Sequence, residues 1–469
     1  MKILFIKPPI NHNVFSVTRY EPLEFEYLAA SVPDHDTDIF DMRIEKDFVK
    51  KLESFNPDVV GITAYTCDVK TVKNILKEIK KYKSAIKTVI GGNHATFLPQ
   101  DFNDGFVDTI FLGYADHTFP KYINALNEGA DVREIENLGL PDTHGIFFTE
   151  KKSIPTDLDS LPFPARYLIE KYRKKYHDSL RNKIALIMSS RGCPFRCTFC
   201  ACWKLMDGRY ITRKIDSIVQ ELKSLPDDID MVYFSDDNTV HNIKRAWKLA
   251  EEIKEHKIKK KLQMYARTDS IVKNPELFRS LREAGLEYLT VGFESFSDDG
   301  LKKLNKKTTV QMNEEAIHIL KDLGIYINAH FIVNPEFTEK DFNCLLHYID
   351  ERHLFRPAYP VLTPLPGTRL YEETKKDHVI KDYDFFDFAH SILPTKLGRR
   401  EFYYQLARLY NKSYSLKRYL KNMSTKKGLN NTRNTDGISL LKLILIRILA
   451  VFLYFKMKNA YKSEPLFYE

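Results

Sequence analysis

The sequence predicts an α/β protein with a doubly wound, Rossmann-like domain at its N-terminus, a partial (β/α)6 barrel after it and a helical C-terminal tail. Three observations predict it: two series of short β-rich runs alternating with amphipathic helical stretches, a Pro-rich interruption between them, and unusual polar residues at the ends of the second-series strands. The first series is KILFIKPP, TDIFDM, DVVGITAY, KTVIGG and DTIFLG, ending near residue 128, with a helix-like segment after each run. That is the pattern of a five-stranded doubly wound sheet. LPDTHG and SLPFPARYL then break the rhythm and read as connection.

The second series runs through IALIMSS, MVYFSDD, LQMYAR, YLTVGFE, YINAHFIV and PAYPVLT, with helical segments such as IKRAWKLAEEIKEH between them. Six strand-helix units in one series predict a partial parallel barrel, whose chemistry belongs at the C-terminal strand ends where the βα loops converge. The distinctive residues fall there: a cysteine loop after the first strand, Asp236 and Asp237 after the second, Arg267 after the third, Glu294 after the fourth, His330 and Asn334 after the fifth, Thr363 after the sixth. The expected organisation is a Rossmann-like domain at 1–130, a linker at 131–182, the barrel at 183–370, a helical extension at 371–422, and a flexible stretch with a basic apolar helix at 423–469. The last run, ISLLKLILIRILAVFLYFKMK, has the length of a membrane span, but Lys442 and Arg447 interrupt it. It therefore predicts a helix lying on a membrane surface with snorkelling cations, the alternative being a core helix docked on the barrel.

A chain of 469 residues with 43% hydrophobic content supports two or three folded units and excludes disorder as the default. Six cysteines in that length make no disulfide framework, and four of them lie between 193 and 202. This fits a reducing, cytoplasmic setting, and MKILFIKPPI lacks the order of a signal peptide. The net charge of +9 suits RNA or an anionic membrane and does not separate them; DNA is not an expected partner.

The loop RGCPFRCTFC sets Cys193, Cys197 and Cys200 at spacings of four and three. Cubane iron-sulfur clusters normally take four thiolates, so three leave one iron open, the mark of a catalytic centre. A zinc site would have to recruit Cys202, separated from Cys200 by one residue, a poor spacing for a tetrahedral ion. The C-x3-C-x2-C loop, with Phe199 before its last cysteine, resembles the signature of the radical S-adenosylmethionine (SAM) superfamily. The resemblance implies that Cys193, Cys197 and Cys200 ligate a [4Fe-4S] cluster whose open iron takes the amino and carboxylate groups of SAM, and that SAM cleavage yields a 5'-deoxyadenosyl radical. YFSDDN, with Asp236 and Asp237, is similar to the loop near the SAM amino group; VGFES, with Glu294 and Ser295, to the strand near the ribose; TPLPGT to the segment near adenine. From the residues alone the two aspartates also read as a cap for the helix after them. Arg267 and Lys306 are candidate partners of the SAM carboxylate.

In the first domain GITAYT and GGNHAT are small, polar strand ends where glycine permits close backbone approach and a helix start suits an anionic group. A doubly wound domain directly before such a barrel resembles the cobalamin-binding class of radical SAM enzymes, in particular its methyltransferases. The resemblance places Thr63, Tyr65, Thr66, Gly91, Gly92, His94, Thr96 and Gly113 at cobalamin. The Asp-x-His-x-x-Gly motif for a cobalt-ligating histidine is absent, and GYADHT stands where relatives carry an acidic Gly-Glu-Gly-Glu run.

The resemblance implies transfer of a methyl group to an unactivated carbon, with a flavodoxin or ferredoxin as electron donor. Ring formation or rearrangement with the same cofactors is the alternative. The segment DFAHSILPTKLGRREFYYQLARLY is similar to the tail of family members acting on hopanoid-type lipids and, with the basic apolar helix, points to a lipid or other small-molecule substrate and peripheral membrane contact. An RNA methylthiotransferase would show more N-terminal cysteines than Cys67 and a C-terminal β-barrel.

Overall fold

The computed structural model describes residues 1–10, 18–153, 155, 157–179, 181–354, 356–415, 418 and 440–465. They form two compact units, the first comprising Met1–His177 with Leu365–Gly367 and Asp382–Asp387, the second Asp178–Pro364, Thr368–Lys381 and Phe388–Glu469. The stretch expected to be flexible, 424–437, lies outside the described residues.

The first unit is built on β1 (Lys2–Lys7), β2 (Asp36–Asp41), β3 (Val59–Thr63), β4 (Lys87–Gly91), β5 (Thr109–Phe111), β6 (Leu138–Asp142) and β7 (Gly145–Phe148). The sheet order is β2-β1-β3-β4-β5-β6-β7, and the first five strands are parallel. Strand direction of travel reverses between β1 and β3, so the crevice expected to receive a ligand lies at the carboxyl ends of those strands. Both sheet faces are buried: Ile3, Phe5, Val59 and Val89 belong to one apolar cluster, Leu4, Ile6, Val60 and Ile90 to another. Parallel strands covered on both faces read as the continuous apolar runs seen in the sequence.

The linker expected at 131–182 is corrected here. LPDTHG is the turn of a hairpin in which β6 pairs antiparallel with β5 and β7 with β6. Residues 166–175 form a 3-10 segment packed along β2, where the Tyr176 hydroxyl donates to Asp41 at 3.1 Å. Pro141 sits in β6 without breaking the hairpin because the pairing of β6 with β5 ends at Gly139, so beyond it the strand has a partner on one side alone.

The second unit carries β8 (Ile184–Ile187), the short antiparallel pair β9 (Ser190–Arg191) and β10 (Ile211–Thr212), then β11 (Met231–Phe234), β12 (Lys261–Ala266), β13 (Leu286–Glu294), β14 (Tyr326–Phe331) and β15 (Arg356–Ala358). Six of these form an all-parallel open sheet in the order β15-β14-β13-β12-β11-β8, the expected partial barrel. Alternation sorts its faces. Val232, Phe234, Leu262, Met264, Val291, Phe293, Ala329 and Phe331 join the large apolar core. The intervening residues face the other way and are polar: Gln263 Nε2 and Asn328 Nδ2 both donate to Thr290 Oγ1, at 3.3 and 3.5 Å.

The extension at 371–422 is only partly helical. Helices cover Arg369–Thr374 and Arg399–Ser413, and the chain between carries one 3-10 turn, Tyr383–Phe385, capped by Asp382. The helix Leu440–Lys458 packs on Arg399–Ser413: Met457 and Ala460 join the core with Phe402, Leu406 and Leu409, Arg447 Nη1 donates to Asn411, and Glu464 pairs with Arg399 and Tyr403. Docking, the alternative reading of this segment, therefore holds for one of its faces. No helix among the described residues is long and apolar enough to cross a membrane.

Arg213 and Glu221 form an ion pair with side chains 3% and 1% exposed, and Arg213 Nη1 also donates to the Met188 carbonyl at 3.0 Å. Removing one partner strands a buried charge. Glu221→Ala should lower the unfolding free energy by about 3–5 kcal/mol in urea titrations, whereas Arg213→Met/Glu221→Leu should lose much less; equal losses would show that the pair acts only through its packing.

Candidate functional site: a cysteine loop at the strand ends

The chain leaves β8, turns at Met188–Gly192 and enters the cysteine loop. That turn is held by the end of β11. Asp236, 3% exposed, accepts from Ser189 N at 2.7 Å, Ser189 Oγ at 2.6 Å and Ser190 N at 2.9 Å. Burial pushes its carboxyl up against the pull of those bonds. Asp237 Oδ2 accepts from Gly192 N at 2.8 Å. Both aspartates therefore position the loop's backbone. Neither caps the following helix, whose start is held by Asn242 accepting from Arg245 N.

Gly192 has φ +84°, and a Cβ there would stand 2.1 Å from the Arg209 carbonyl oxygen. Further on, Thr198 N donates to Leu304 O at 3.1 Å and Leu370 N to Thr198 O at 2.9 Å. Phe199 packs with Leu304, Ile332, Leu362 and Leu370 in a small apolar cluster. The backbone of Thr198 and the side chain of Phe199 thus anchor the loop on three later βα connections.

Cys197 is buried, and Cys193 and Cys200 are half-buried. Burial pushes the Cys193 thiol up to about 11 and raises that of Cys197. Cys200 goes the other way, because a hydrogen bond from Cys202 favours its thiolate. All six cysteines are free thiols. Among the described residues no three His, Cys, Asp or Glu side chains converge as a single metal ion requires. Three thiols on one fixed loop are one short of the four that a structural zinc ion or a closed cubane cluster takes.

Around the loop, Glu294 ends β13 at a register shift, with φ +62°, and its Oε1 meets Lys306 Nζ at 2.7 Å; both residues are less than a tenth exposed. A Cβ at Gly292 would lie 2.1 Å from Glu294 Oε1, so a larger residue there would displace the Glu294–Lys306 pair. Arg267 lies with its guanidinium carbon 3.6 Å from the Phe195 ring centroid, and donates to Asp269 and to the Lys306 carbonyl. Ser295 Oγ accepts from Ser297 N at 3.1 Å, shaping the turn into the next helix. Thr363 Oγ1 donates to Val361 O and Asn334 accepts from Glu336 N, both local turn bonds. Burial pushes His330 down, favouring its neutral ring. Sequence reasoning missed Asn238, 2% exposed with neither side-chain polar atom hydrogen-bonded, one residue past the aspartates.

In the first unit the strand ends interlock. Gly92, at φ +99°, approaches Thr63 Oγ1 and Ala64 so closely that a Cβ would stand 2.6 Å from the hydroxyl. Thr96 Oγ1 donates to Gly92 O and accepts from Gly113 N at 3.0 Å, linking the loops after β4 and β5. Tyr65 is 54% exposed beyond the end of β3, and Gly91 closes β4. His94 is 1% exposed, with Nδ1 3.2 Å from Thr66 Oγ1, Nε2 2.9 Å from Asp101 Oδ2 and the Tyr383 ring edge-on at 4.8 Å. Both ring nitrogens have partners within the unit.

Comparison with known proteins agrees with this geometry. The family model "Radical SAM superfamily" matches residues 187–349, and "B12 binding domain" matches 16–123. The chain is 28% identical to the hopanoid C-3 methylase of Methylococcus capsulatus over 418 residues, 87% of this chain and 79% of that protein. It is 26% identical to an anaerobic magnesium-protoporphyrin IX monomethyl ester cyclase of Rubrivivax gelatinosus, covering 91% of this chain and 80% of that one. In fold it resembles the cobalamin-dependent SAM radical enzyme OxsB, with a TM-score of 0.69 and 16% identity over 98% of this chain and 80% of the other. The radical SAM methyltransferase TsrM of Kitasatospora setae gives 0.66 and 18% over 81% and 75%. A fixed three-cysteine loop at the strand ends of a six-stranded parallel sheet, preceded by a doubly wound sheet, thus belongs to a chain that carries a B12-binding domain followed by a radical SAM domain, the domains of cobalamin and of a [4Fe-4S] cluster with SAM.

Proposed function

We propose that the chain transfers a methyl group to an unactivated carbon of a lipid. The observation that carries the chemistry is the cysteine loop, its approach fixed by Asp236 and Asp237 and its three thiols set on one short turn. When bound, the reduced cluster supplies the electron that cleaves SAM, and cobalamin carries the methyl group. The chain's part is positioning. Cys193, Cys197 and Cys200 hold the cluster; Phe199 and its apolar neighbours keep the loop's last turn dry. The Lys306 ammonium, drawn in by Glu294, and the Arg267 guanidinium on Phe195 set positive charge beside the loop for the SAM carboxylate. Thr63, Tyr65, Thr66, Gly91, Gly92, Thr96 and Gly113 shape the crevice for cobalamin, with His94 behind them. The reductant is of the flavodoxin or ferredoxin kind, and the chain works on the cytoplasmic side, touching the membrane through its C-terminal helix.

The hopanoid methylase relative supports the lipid reading. A second reading, oxidative ring closure with the same cofactors, has support in the cyclase relative, which covers as much of the chain.

Protein expressed with hydroxocobalamin and purified without oxygen should contain about one cobalt and about four iron per chain; iron without cobalt would remove methyl transfer from cobalamin. Incubation with deuteromethyl-SAM and lipid extract should label an apolar product, and label confined to water-soluble products would sink the lipid assignment. Alanine at Cys193, Cys197 or Cys200 should abolish SAM cleavage, while Cys202→Ala should retain most of it; equal loss at all four would overturn the three-ligand loop.

A further inference from the structure

The helix Leu440–Lys458 is docked by one face and bare on the other. Ala450, Met457 and Ala460 are buried, and Arg447 holds Asn411. On the outward face Ile448, Val451, Phe452 and Phe455 are 60%, 36%, 59% and 57% exposed. Their spacing of three, four and seven puts them in one stripe along the helix. Two phenylalanines held outward by a docked helix are an unusual surface for water to meet.

The stripe runs into charge. Lys458 follows Phe455 by three residues and Val451 by seven, so it continues the same face. It lines a cleft of about 770 Å³ with Gly398, Arg399, Arg400, Glu401, Tyr404, Asn459, Tyr461 and Lys462. Four cations thus face one carboxylate, Glu401, whose Oε1 accepts from Gln405. Arg399 is held by Glu464, and the Lys458 ammonium stands 5.9 Å from the Tyr404 ring centroid and 5.7 Å from that of Tyr454. Aromatic rings beside cations, at the end of an apolar stripe, are the arrangement of a helix lying at the boundary between acyl chains and headgroups.

We propose that this face docks on an anionic phospholipid bilayer, with Ile448, Val451, Phe452 and Phe455 among the acyl chains and a lipid phosphate in the cleft of Arg400, Lys458 and Lys462. It deepens the membrane contact put forward under the proposed function and rests on that reading, adding the lipid's charge and the residues that meet it. A second copy of the chain would cover the apolar stripe but would bring the same cations against the cleft; charge complementarity favours the anionic surface.

The test is flotation of the intact, cofactor-loaded chain with vesicles of phosphatidylcholine alone or mixed with phosphatidylglycerol, with iron content and SAM cleavage measured on every variant to confirm folding. The chain should float with the mixed vesicles. Arg400→Glu/Lys462→Glu should weaken that about thirtyfold, the sum of two headgroup contacts, and Phe452→Ser/Phe455→Ser should abolish it. Equal flotation with both vesicle types by the unaltered chain would overturn the headgroup cleft while leaving membrane contact standing. No flotation with either would overturn both. A concentration-dependent dimer that only the Phe452→Ser/Phe455→Ser variant dissolves, without flotation, would assign the stripe to a second copy and overturn the proposal. Label from deuteromethyl-SAM in a water-soluble product would end the lipid-substrate reading without touching this one.

Discussion

The second unit turns on the buried carboxylate of Asp236. One side chain at the end of β11 accepts the backbone amides of Ser189 and Ser190 and the Ser189 hydroxyl, joining two neighbouring strands at the point where the chain leaves the sheet. Arginines complete the clamp from the carbonyl side: Arg245 donates to the Ser189 and Arg213 carbonyls, and Arg213 to that of Met188. A turn with its donors taken by a carboxylate and its acceptors by guanidinium groups has little freedom left. The cysteine loop therefore starts from a fixed backbone, and part of the entropy cost of ordering its thiols is met in folding.

The first unit reaches a similar end with neutral groups. Gly92 lets the start of the Asn93–Phe97 segment press against Thr63 and Ala64, and Thr96 ties the following loop to Gly113. His94 and Asp101 close the back of this arrangement; burial pushes the Asp101 carboxyl up, but hydrogen bonds from His94 and Tyr383, with the charges of His94 and Lys73, together hold it below the usual range. Between the ends of β3 and β4 the contacts are made by hydroxyls and amides, while Lys7, at the end of β1 and paired with Glu24, stands 5.7 Å from the Tyr65 ring centroid. That suits a large ligand held by many weak contacts better than one held by a single strong ligand.

The parallel strands, their ends and the cysteine loop were legible because each rests on local pattern: short apolar runs, then polar or small residues at the exit. What the pattern hid was long-range. Asp236 and Asp237 look alike in YFSDDN, yet alternation turns one inward to Ser189 and leaves the other exposed near Gly192. His94 sits in a glycine-rich loop that resembles a ligand site, and only folding brings Asp101 and Thr66 to its two nitrogens. LPDTHG was read as connection because proline and glycine mark both linkers and edge hairpins, and the sheet edge that decides between them is set 30 or so residues earlier. The C-terminal helix carries apolar residues all round, so its periodicity could not say that one face docks and the other does not.

The polarity of the open barrel bears on what its ligands are. Gln263, Thr290 and Asn328 link three adjacent strands across the inner face, with Tyr233 and Tyr265 beside them at a centroid distance of 5.7 Å. Hydrogen-bonding groups in such a row are costly unless they meet a polar ligand or water, so this face is matched to a polar molecule such as SAM. Apolar surface appears instead at the strand ends, where Phe199, Leu304, Ile332, Leu362 and Leu370 gather beside the cysteine loop. The second unit thus sets two unlike surfaces side by side, a polar inner face and an apolar rim next to Cys200.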